Sequence, residues 1–360
     1  TLLLLGSSIA NAESLRVATF NVSMEATNYV KQNPSLDTLT GLLASGENQQ
    51  IKNIAEIIQI TRPDIILLNE FDYIPNAEKG IKAFVTGYLA KSQNGQAAID
   101  YPYFYIAPVN TGVDSGHDLD NDGKASGAGA DAFGFGLYPG QYGMALLSKY
   151  PIDTDNVRTF QYFKWQDMPD AQLTVKPSGE PWYSDEAWDV FRLSSKSHWD
   201  VPVNVNGEWV HILAMHPTPP VFDGEEDRNG KRNQDEIRLF ADYIDSEQTP
   251  YLYDDKGRKG HLPKHSRFVL VGDFNAADIG PRYRAHAIEQ LTESPLVNNS
   301  VIPTSTGGDE SDEAEYSQRY TAYWGARADY VLPSQYGFEP VGAGVFWPSK
   351  ADEKYRLVES

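Results

Sequence analysis

Short, continuous apolar runs are the feature that most limits the folds available to this chain. Five of them are rich in branched side chains and bounded by turn residues, and they lie at 15–21, 64–70, 210–216, 267–275 and 327–332. A sixth, weaker run lies at 143–148. Because a strand that is covered on both faces has no polar face, such runs predict strands in the interior of a layered structure.

Amphipathic segments lie between the predicted strands. One carries an apolar stripe at Ile51, Ile54 and Ile58, and Pro63 ends the pattern; the other carries the same spacing at Ile237, Phe240, Ala241 and Ile244. Helices that alternate with buried strands favour a layered α/β architecture. Segments rich in Gly, Asp, Ser and Pro are predicted to be long surface loops inserted into a single domain, and they lie at 109–141, 223–232, 253–265 and 304–316.

Composition excludes several kinds of site. The 360 residues contain no cysteine, so disulfides and thiolate zinc sites are excluded, and any metal must be held by oxygen or histidine nitrogen. The formal net charge of −20 leaves no basic surface for a nucleic-acid backbone, so a nucleic-acid partner is not favoured. A nuclease is still allowed, because a bound divalent cation reverses the local field.

The N-terminal stretch TLLLLGSSIANAES is similar to the end of a secretory signal peptide. An apolar run from Leu2 to Leu5 precedes small residues, with Ala10 and Ala12 in an A-x-A cleavage pattern. We expect residues 1–12 to be the remnant of a signal peptide and the mature protein, from about Glu13, to be secreted or periplasmic. A buried first strand is the alternative, and no later stretch is apolar enough to predict a transmembrane segment.

Polar residues collect at the ends of the predicted strands. Ligands of layered α/β proteins bind where such ends and their loops converge. Carboxylates there can hold Mg²⁺, amide and imidazole N–H groups can bind phosphoryl oxygens, and a carboxylate or imidazole can activate water. The set predicts hydrolysis of a phosphate ester, with Glu70 and Asp273 in one metal-centred pocket. Its members are Asn21, Glu70, His216, Asp273, Asn275 and Asp329.

The order of these motifs resembles the endonuclease/exonuclease/phosphatase superfamily, which includes pancreatic-type deoxyribonuclease and bacterial sphingomyelinases. The motifs are TFN at 19–21, LLNE at 67–70, His-Pro at 216–217, GDFN at 272–275 and Asp-Tyr at 329–330. The resemblance covers nearly the whole chain from Leu15. It implies an α/β fold of four layers, in which two mixed β-sheets pack face to face with helices outside.

The resemblance also implies a role for each matching residue and a Mg²⁺ or Mn²⁺ cofactor. Glu70 corresponds to the metal-ligating glutamate, and Asn21 to the asparagine beside the metal and the phosphate. His216 corresponds to the phosphate-side histidine. Asp273 corresponds to the aspartate that handles the nucleophilic water next to the metal, with Asn275 as its phosphate-binding companion.

The sequence departs from the family pattern after the last predicted strand. The family closes with a Ser-Asp-His segment, whereas this sequence reads YRLVES at 355–360 and all seven of its histidines precede Asp329. Asp329 resembles the aspartate that orients the histidine of that segment. We therefore expect an Asp-His segment to follow Ser360; otherwise the catalytic machinery is incomplete.

Two further groups of residues are candidate binding sites. Asp118, Asp120 and Asp122 match the start of a calcium loop, although the twelfth position is not Glu; the loop either binds Ca²⁺ or is a plain acidic turn. Lys196 and His198 are candidate phosphate-binding residues, and the alternative is that they lie in a solvated turn.

The leading prediction is an exported hydrolase of phosphate esters, either a phosphodiesterase or a phosphatase, in which water attacks a Mg²⁺-bound phosphoryl group. A secreted nuclease is the alternative enzyme, and the acidic charge disfavours it. A non-catalytic, calcium-stabilised binding module with the same fold is the alternative from another class. The polar strand-end residues argue against that module, while the absent Asp-His segment argues for it.

Overall fold

A computed structural model of the chain describes residues 14–245, 250–279, 286–310 and 315–359. The predicted signal-peptide remnant at 1–12 lies outside the described residues. The strands of the described residues are β1 Val17–Met24, β2 Ile65–Phe71, β3 Tyr103–Tyr105, β4 Met144–Ser148, β5 Arg158–Thr159, β6 His198–Val205, β7 Glu208–Met215, β8 Arg267–Asp273 and β9 Asp329–Pro333.

Three helices of ten residues or more provide most of the helical packing surface: α2 Leu36–Ser45, α3 Gln49–Thr61 and α6 Arg228–Ile244. The single-turn helices are α1 Ala26–Tyr29, α4 Ile81–Phe84, α5 Asp185–Trp188, α7 Glu289–Thr292 and α8 Thr306–Asp309. A π-helical turn, Val85–Leu89, continues α4, and 3₁₀ turns occupy Trp165–Asp167, Ser317–Arg319 and Glu353–Leu357. Among the helices that the structure describes, none combines the length and apolarity needed to cross a membrane.

The strands form two mixed sheets. The first has the order β1-β2-β4-β3, with β1 and β2 parallel and the other neighbours antiparallel. The second has the order β5-β6-β7-β8-β9, with β7 and β8 parallel and the other neighbours antiparallel. Both sheets are open at their edges.

Alternation along β2 shows how the layers stack. Ile65 and Leu67 point to the second sheet and pack with Trp199, Val201 and Ile212. The intervening residues of β2 point the other way and join a separate apolar cluster with α2 and α3, whose members include Ile66, Leu68, Leu39, Leu43, Ile51 and Ile54. Because both faces of β2 are covered, its sequence has no polar face.

The second sheet is covered in the same manner. Leu213 and Leu270 point outward and pack with Ile237 and Phe240 of α6. The order of layers is therefore helices, sheet, sheet, helices. This confirms the predicted fold of two mixed sheets packed face to face with helices outside.

All six predicted strands are present, and the two predicted helical stripes lie on α3 and α6. The loop prediction was wrong in three places, one of which is the single-turn helix α8 within 304–316. Residues 228–232 form the first turn and a half of α6 rather than a loop. Within 109–141, Asn110, Thr111 and Ala132 are buried, because this segment packs on the backbone before β6 through an Asn110 N–H that donates to the Lys196 carbonyl at 2.9 Å.

Gly272, in the GDFN motif, lies where two strands approach closely. A Cβ at this position would lie 1.9 Å from the Met215 carbonyl oxygen of β7. Only glycine therefore lets β8 run beside β7 up to Asp273, and this close approach places Asp273 next to the end of β7.

We expect Gly272→Ala to destabilise the protein by about 1–3 kcal/mol, because the added methyl group must displace the backbone of one strand. The measurement is the urea midpoint of unfolding at constant m-value. Gly41→Ala in α2 is the matched control: a Cβ there meets no atom within 4 Å, so this helical substitution should be neutral or slightly stabilising. Equal midpoints for the two variants would contradict the close approach.

Candidate active site

The side-chain amide of Asn21 joins the two sheets at the ends of their strands. Its Nδ2 donates to Asp273 Oδ2 at 3.2 Å, and the same side chain lies close enough to the Glu70 carboxylate to oppose the rise that burial causes in its pKa. The Ser23 N–H donates to Asn21 Oδ1 at 3.1 Å and fixes the orientation of the amide. The structure thus brings Asn21, Glu70 and Asp273 into one pocket, although 252 residues separate Asn21 from Asp273.

Glu70 lies at an irregularity in the pairing of β1 with β2. The strands are in register up to Asn21 and Asn69, and pairing resumes with Met24 and Phe71. Glu70 itself has a left-handed backbone conformation, with φ of 58°. Such a conformation costs a non-glycine residue about 1 kcal/mol or more, and bulges of this kind re-aim side chains beside functional sites.

Asp273 and Asn275 form the tight turn that follows β8. The Asn275 N–H donates to Asp273 Oδ1 at 3.0 Å, and Asn275 has φ of 51°, a conformation that asparagine tolerates better than most residues. The Asn275 Nδ2 donates to the Pro217 carbonyl at 3.1 Å. Asn275 therefore ties the end of β8 to the segment after β7 and keeps His216 beside Asp273.

His216 is almost fully buried at the end of β7, with 2% of its surface exposed. Its Nε2 lies 3.8 Å from Asp273 Oδ2, and its Nδ1 has no hydrogen-bond partner among the described residues. Burial, and secondarily the Lys196 charge, lower the pKa of His216 well below 6.5. The imidazole is therefore neutral near pH 7 and offers one N–H donor.

Asp329 begins β9 directly opposite Asp273 in the antiparallel pair. Burial and the charge of Asp273 raise the pKa of Asp329 well above 3.8, while a hydrogen bond from Thr321 opposes that rise. One carboxylate oxygen, Oδ1, has no hydrogen-bond partner in the described residues. The seven histidines all lie in the described part of the chain, and none of them hydrogen-bonds Asp329 there.

Lys196 supplies the positive charge of this pocket. It is buried, and the carboxylates of Glu236, Glu70 and Asp273 act on its ammonium. Burial nevertheless lowers the pKa of Lys196 below 10.5. Glu236 is held behind it on α6, where its carboxylate accepts the Ser195 N–H at 2.6 Å and the Thr218 N–H at 2.7 Å.

The pocket contains more buried acid than its lysine can balance. Burial raises the pKa of Glu70 and of Asp273, and the charge of Asp273 raises that of Glu70 further. The carboxyl groups of these three acids offer oxygen ligands of the kind that suits a hard divalent cation, and the one ammonium balances only part of their charge. Glu70 and Asp273 are the residues that could hold Mg²⁺ or Mn²⁺ here, and Asp329 Oδ1 has no hydrogen-bond partner among the described residues.

The structure places His198 differently from the prediction. His198 begins β6 with 1% of its surface exposed; its Nδ1 lies 2.7 Å from Ser194 Oγ and its Nε2 lies 2.8 Å from the Glu236 carbonyl. Both ring nitrogens are engaged inside the protein, so the ring is not free to bind a phosphate. The alternative of a solvated turn was also wrong, because Lys196 and His198 are both buried.

The acidic cluster in the predicted calcium loop differs from the prediction by one residue. Carboxylate oxygens of Asp118, Asp120 and Asp131 lie within 4.8 Å of one another, and Asp122 is not part of this group. Asp122 instead accepts the Lys124 N–H at 2.8 Å. Asp131 lies beyond the twelfth position of the loop, which is Gly129, so the spacing of the calcium-loop motif did not predict it. Calcium binding here stays a prediction.

Sequence reasoning missed the buried acids that support the pocket. Asp72, two residues after Glu70, accepts the Tyr138 hydroxyl at 2.6 Å and the N–H groups of Ala26 and Tyr142 at 3.1 Å. Burial raises the pKa of Asp72 to about 7. Asp72 therefore connects the 138–142 segment to the ends of β1 and β2. The only sequence signal for this role is the position of Asp72 just after the LLNE motif.

Residues 18–352 match the family model described as Endonuclease/Exonuclease/phosphatase family. No curated protein has significant sequence similarity to the chain.

Among solved structures, a β-hairpin deletion mutant of beta toxin from Staphylococcus aureus is similar with a TM-score of 0.47 and 16% identity, covering 92% of this chain and 90% of that one. Sphingomyelinase C from Streptomyces griseocarneus has a TM-score of 0.47 and 17% identity, covering 92% and 87%. A further beta toxin mutant, with bound magnesium ions, has a TM-score of 0.44 and 16% identity, covering 91% and 86%.

We expect His198 to make stability depend on pH. Burial lowers the pKa of His198 from 6.5 to about 4, so the unfolded chain binds the proton that the folded chain rejects between these values. Stability is therefore lost as pH falls, by about 2 kcal/mol between roughly pH 7.5 and pH 5. Urea unfolding across this range should show a flatter pH dependence for His198→Gln than for the wild type.

The control for this experiment is His286→Gln, because the His286 side chain is 77% exposed. It should leave the pH dependence of the wild type unchanged. Parallel curves for the wild type and His198→Gln would show that the pKa of His198 is the same in the folded and the unfolded chain, contrary to the burial of its ring.

Proposed function

We propose that this chain, which belongs to the endonuclease/exonuclease/phosphatase family, is a divalent-metal-dependent hydrolase of phosphate esters. Members of the family are generally hydrolases of such esters. The observation that carries the proposal is the single amide of Asn21 between the carboxylates of Glu70 and Asp273, with Lys196 and a neutral His216 beside them. Glu70 and Asp273 are the proposed ligands of Mg²⁺ or Mn²⁺.

The cation, when bound, would offset the negative charge on the phosphoryl oxygens. The protein's own residues supply the rest of the chemistry. The neutral His216 donates an N–H to a phosphoryl oxygen, and the Lys196 ammonium attracts the same group. Asp273 orients the attacking water and accepts its proton.

Asn21 and Asn275 act as positioning residues in this scheme. The Asn21 amide keeps the two carboxylates at a fixed separation, and Asn275 holds the end of β8 against the His216 segment. Asp329, with its raised pKa and unpartnered oxygen, is proposed to serve a histidine of the Asp-His segment that the family pattern places after this strand. Export remains part of the proposal and rests only on the N-terminal sequence at 1–12, outside the described residues.

The substrate is proposed to be an ester smaller than nucleic acid, because the net charge of −20 opposes the approach of a polyanion. The direct test compares bis(4-nitrophenyl) phosphate, 4-nitrophenyl phosphate and supercoiled DNA, each with Mg²⁺ and with EDTA. Mg²⁺-dependent release of nitrophenol supports the proposal. DNA nicking without hydrolysis of the small esters would favour a nuclease, and inactivity on all three would favour the binding module.

We expect His216→Ala in the full-length protein to lower kcat by about 10²-fold, because loss of one charge-stabilising donor has this effect. The measurement is steady-state hydrolysis of the better nitrophenyl ester with saturating Mg²⁺. His286→Ala removes an exposed histidine and should leave kcat unchanged. A wild-type rate for His216→Ala would refute the donor role.

We expect Lys196→Met to change two parameters in opposite directions. Removing the ammonium leaves the carboxylates of Glu70 and Asp273 with less positive charge nearby, so half-maximal activity should need less Mg²⁺. KM for the ester should rise by about tenfold or more, because the phosphate loses a charged partner. Initial rates over a grid of Mg²⁺ and substrate concentrations separate the two effects.

Lys124→Met, at an exposed lysine, is the control for this variant and should change neither parameter. Circular dichroism establishes that Lys196→Met is folded. If KM rises while the Mg²⁺ requirement is unchanged, Lys196 does not balance the charge of the metal-binding carboxylates.

A further inference from the structure

A second hollow, of about 390 Å³, opens beside Arg192, in the segment that precedes β6. Three basic side chains, His117, Lys164 and Arg192, line it together with the rings of Phe133 and Tyr162. None of the described residues that line it is acidic. This is an unusual surface on a chain with a net charge of −20, since its acids outnumber its lysines and arginines by 50 to 30.

Arg192 is the central group of this hollow. Its guanidinium carbon lies 4.0 Å from the ring centre of Phe133 and 4.6 Å from that of Tyr162. Its Nη1 donates to Asn110 Oδ1 at 2.7 Å, and in the described residues it forms no ion pair. A guanidinium has five N–H donors, so most of them are left for a partner in the hollow.

Asn110 holds the guanidinium in place. Asn110 is fully buried, and its Nδ2 donates to the Gln161 carbonyl at 2.7 Å and to the Ser194 carbonyl at 2.8 Å. Because these two hydrogen bonds fix the orientation of the amide, Asn110 Oδ1 points in one direction and accepts from Arg192 there. The donors of Arg192 are therefore pre-oriented, which lowers the entropy lost on binding.

Lys164 and Arg192 are directly opposite each other in an antiparallel β-bridge. Like charges at such a position destabilise the pairing. The acid whose charge acts on Arg192 is Asp255, and its carboxylate already accepts from Thr159 Oγ1 and from the N–H groups of Gln161 and Tyr162. Burial lowers the pKa of Arg192, as expected for a half-buried cation without a counter-ion.

We propose that this hollow binds a small organic oxyanion, a carboxylate, sulfonate or phosphonate group on an aromatic or apolar body. The guanidinium of Arg192 would bind the oxygens through parallel N–H groups, and Lys164 and His117 would add donors from the sides. The exposed part of the Tyr162 ring would contact the apolar body. A bound anion would relieve the repulsion between the two opposed cations, neither of which forms an ion pair with an acid among the described residues, although the charge of Asp255 acts on Arg192.

The test is calorimetric titration of the metal-free, full-length protein in EDTA with phenylphosphonate, and separately with sulfate at equal ionic strength. We expect saturable binding of one phenylphosphonate that is tighter than that of sulfate, because only the former contacts the ring. Arg192→Gln should weaken it by about tenfold or more, since hydrogen bonds to charged groups are lost. Equal affinities for the two anions would overturn the apolar part of the proposal.

Three further variants complete the test. Arg267→Gln removes a guanidinium that also lies over a ring, that of Tyr336, but is paired with Glu208, and should leave binding unchanged. Lys196→Met should also leave it unchanged, which separates this hollow from the proposed catalytic pocket. Binding that survives Arg192→Gln but is lost in Lys196→Met would overturn the proposal, as would the absence of saturable binding at millimolar anion.

Arg192→Lys covers the case in which Arg192→Gln does not fold. It keeps the charge but lacks the planar pair of N–H groups, so binding should be clearly weaker than in the wild type. Wild-type affinity in Arg192→Lys would contradict recognition by the guanidinium. Because the titration is made without metal and without turnover, its result does not depend on the proposed hydrolase activity.

Discussion

The contact on which the rest of the site depends is the Asn21 amide between Glu70 and Asp273. Each acid comes from a different sheet, and each is buried where its charge is costly. The amide donor offsets part of their mutual repulsion and fixes the distance between them. The bulge at Glu70, the turn at Asn275 and the glycine before Asp273 are all local irregularities that allow this one contact to form.

Charge balance explains why the pocket is not self-sufficient. Lys196 is the cation that approaches these acids, and it is shared with Glu236 behind it. Burial raises the pKa of the acids and lowers that of the lysine, so in the metal-free protein the charged form of each group is disfavoured. A divalent cation bound between these acids would favour their ionised forms.

Much of the fold could be predicted from the sequence because burial on both faces leaves a direct mark. The apolar run of β2 has that mark, and so do the stripes of α3 and α6. The strand-end residues could be predicted as well, because a polar residue directly after a buried run is conspicuous. The prediction for the 109–141 segment failed for the opposite reason. Its glycines and aspartates indicate exposure to solvent, whereas its backbone packs on the residues just before β6, at the Lys196 carbonyl.

By itself, the sequence determined the layered α/β architecture, the strands that carry polar ends and the set of groups suited to phosphate chemistry. Only the tertiary structure decided which of those groups meet. Asn21 and Asp273 are brought together by the packing of two sheets, His198 is turned inward by Ser194 and α6, and Glu236 and Asp131 enter their clusters from positions that no local pattern marks. Burial, side-chain direction and the resulting pKa shifts depend on contacts between distant residues, and a linear pattern records only near neighbours.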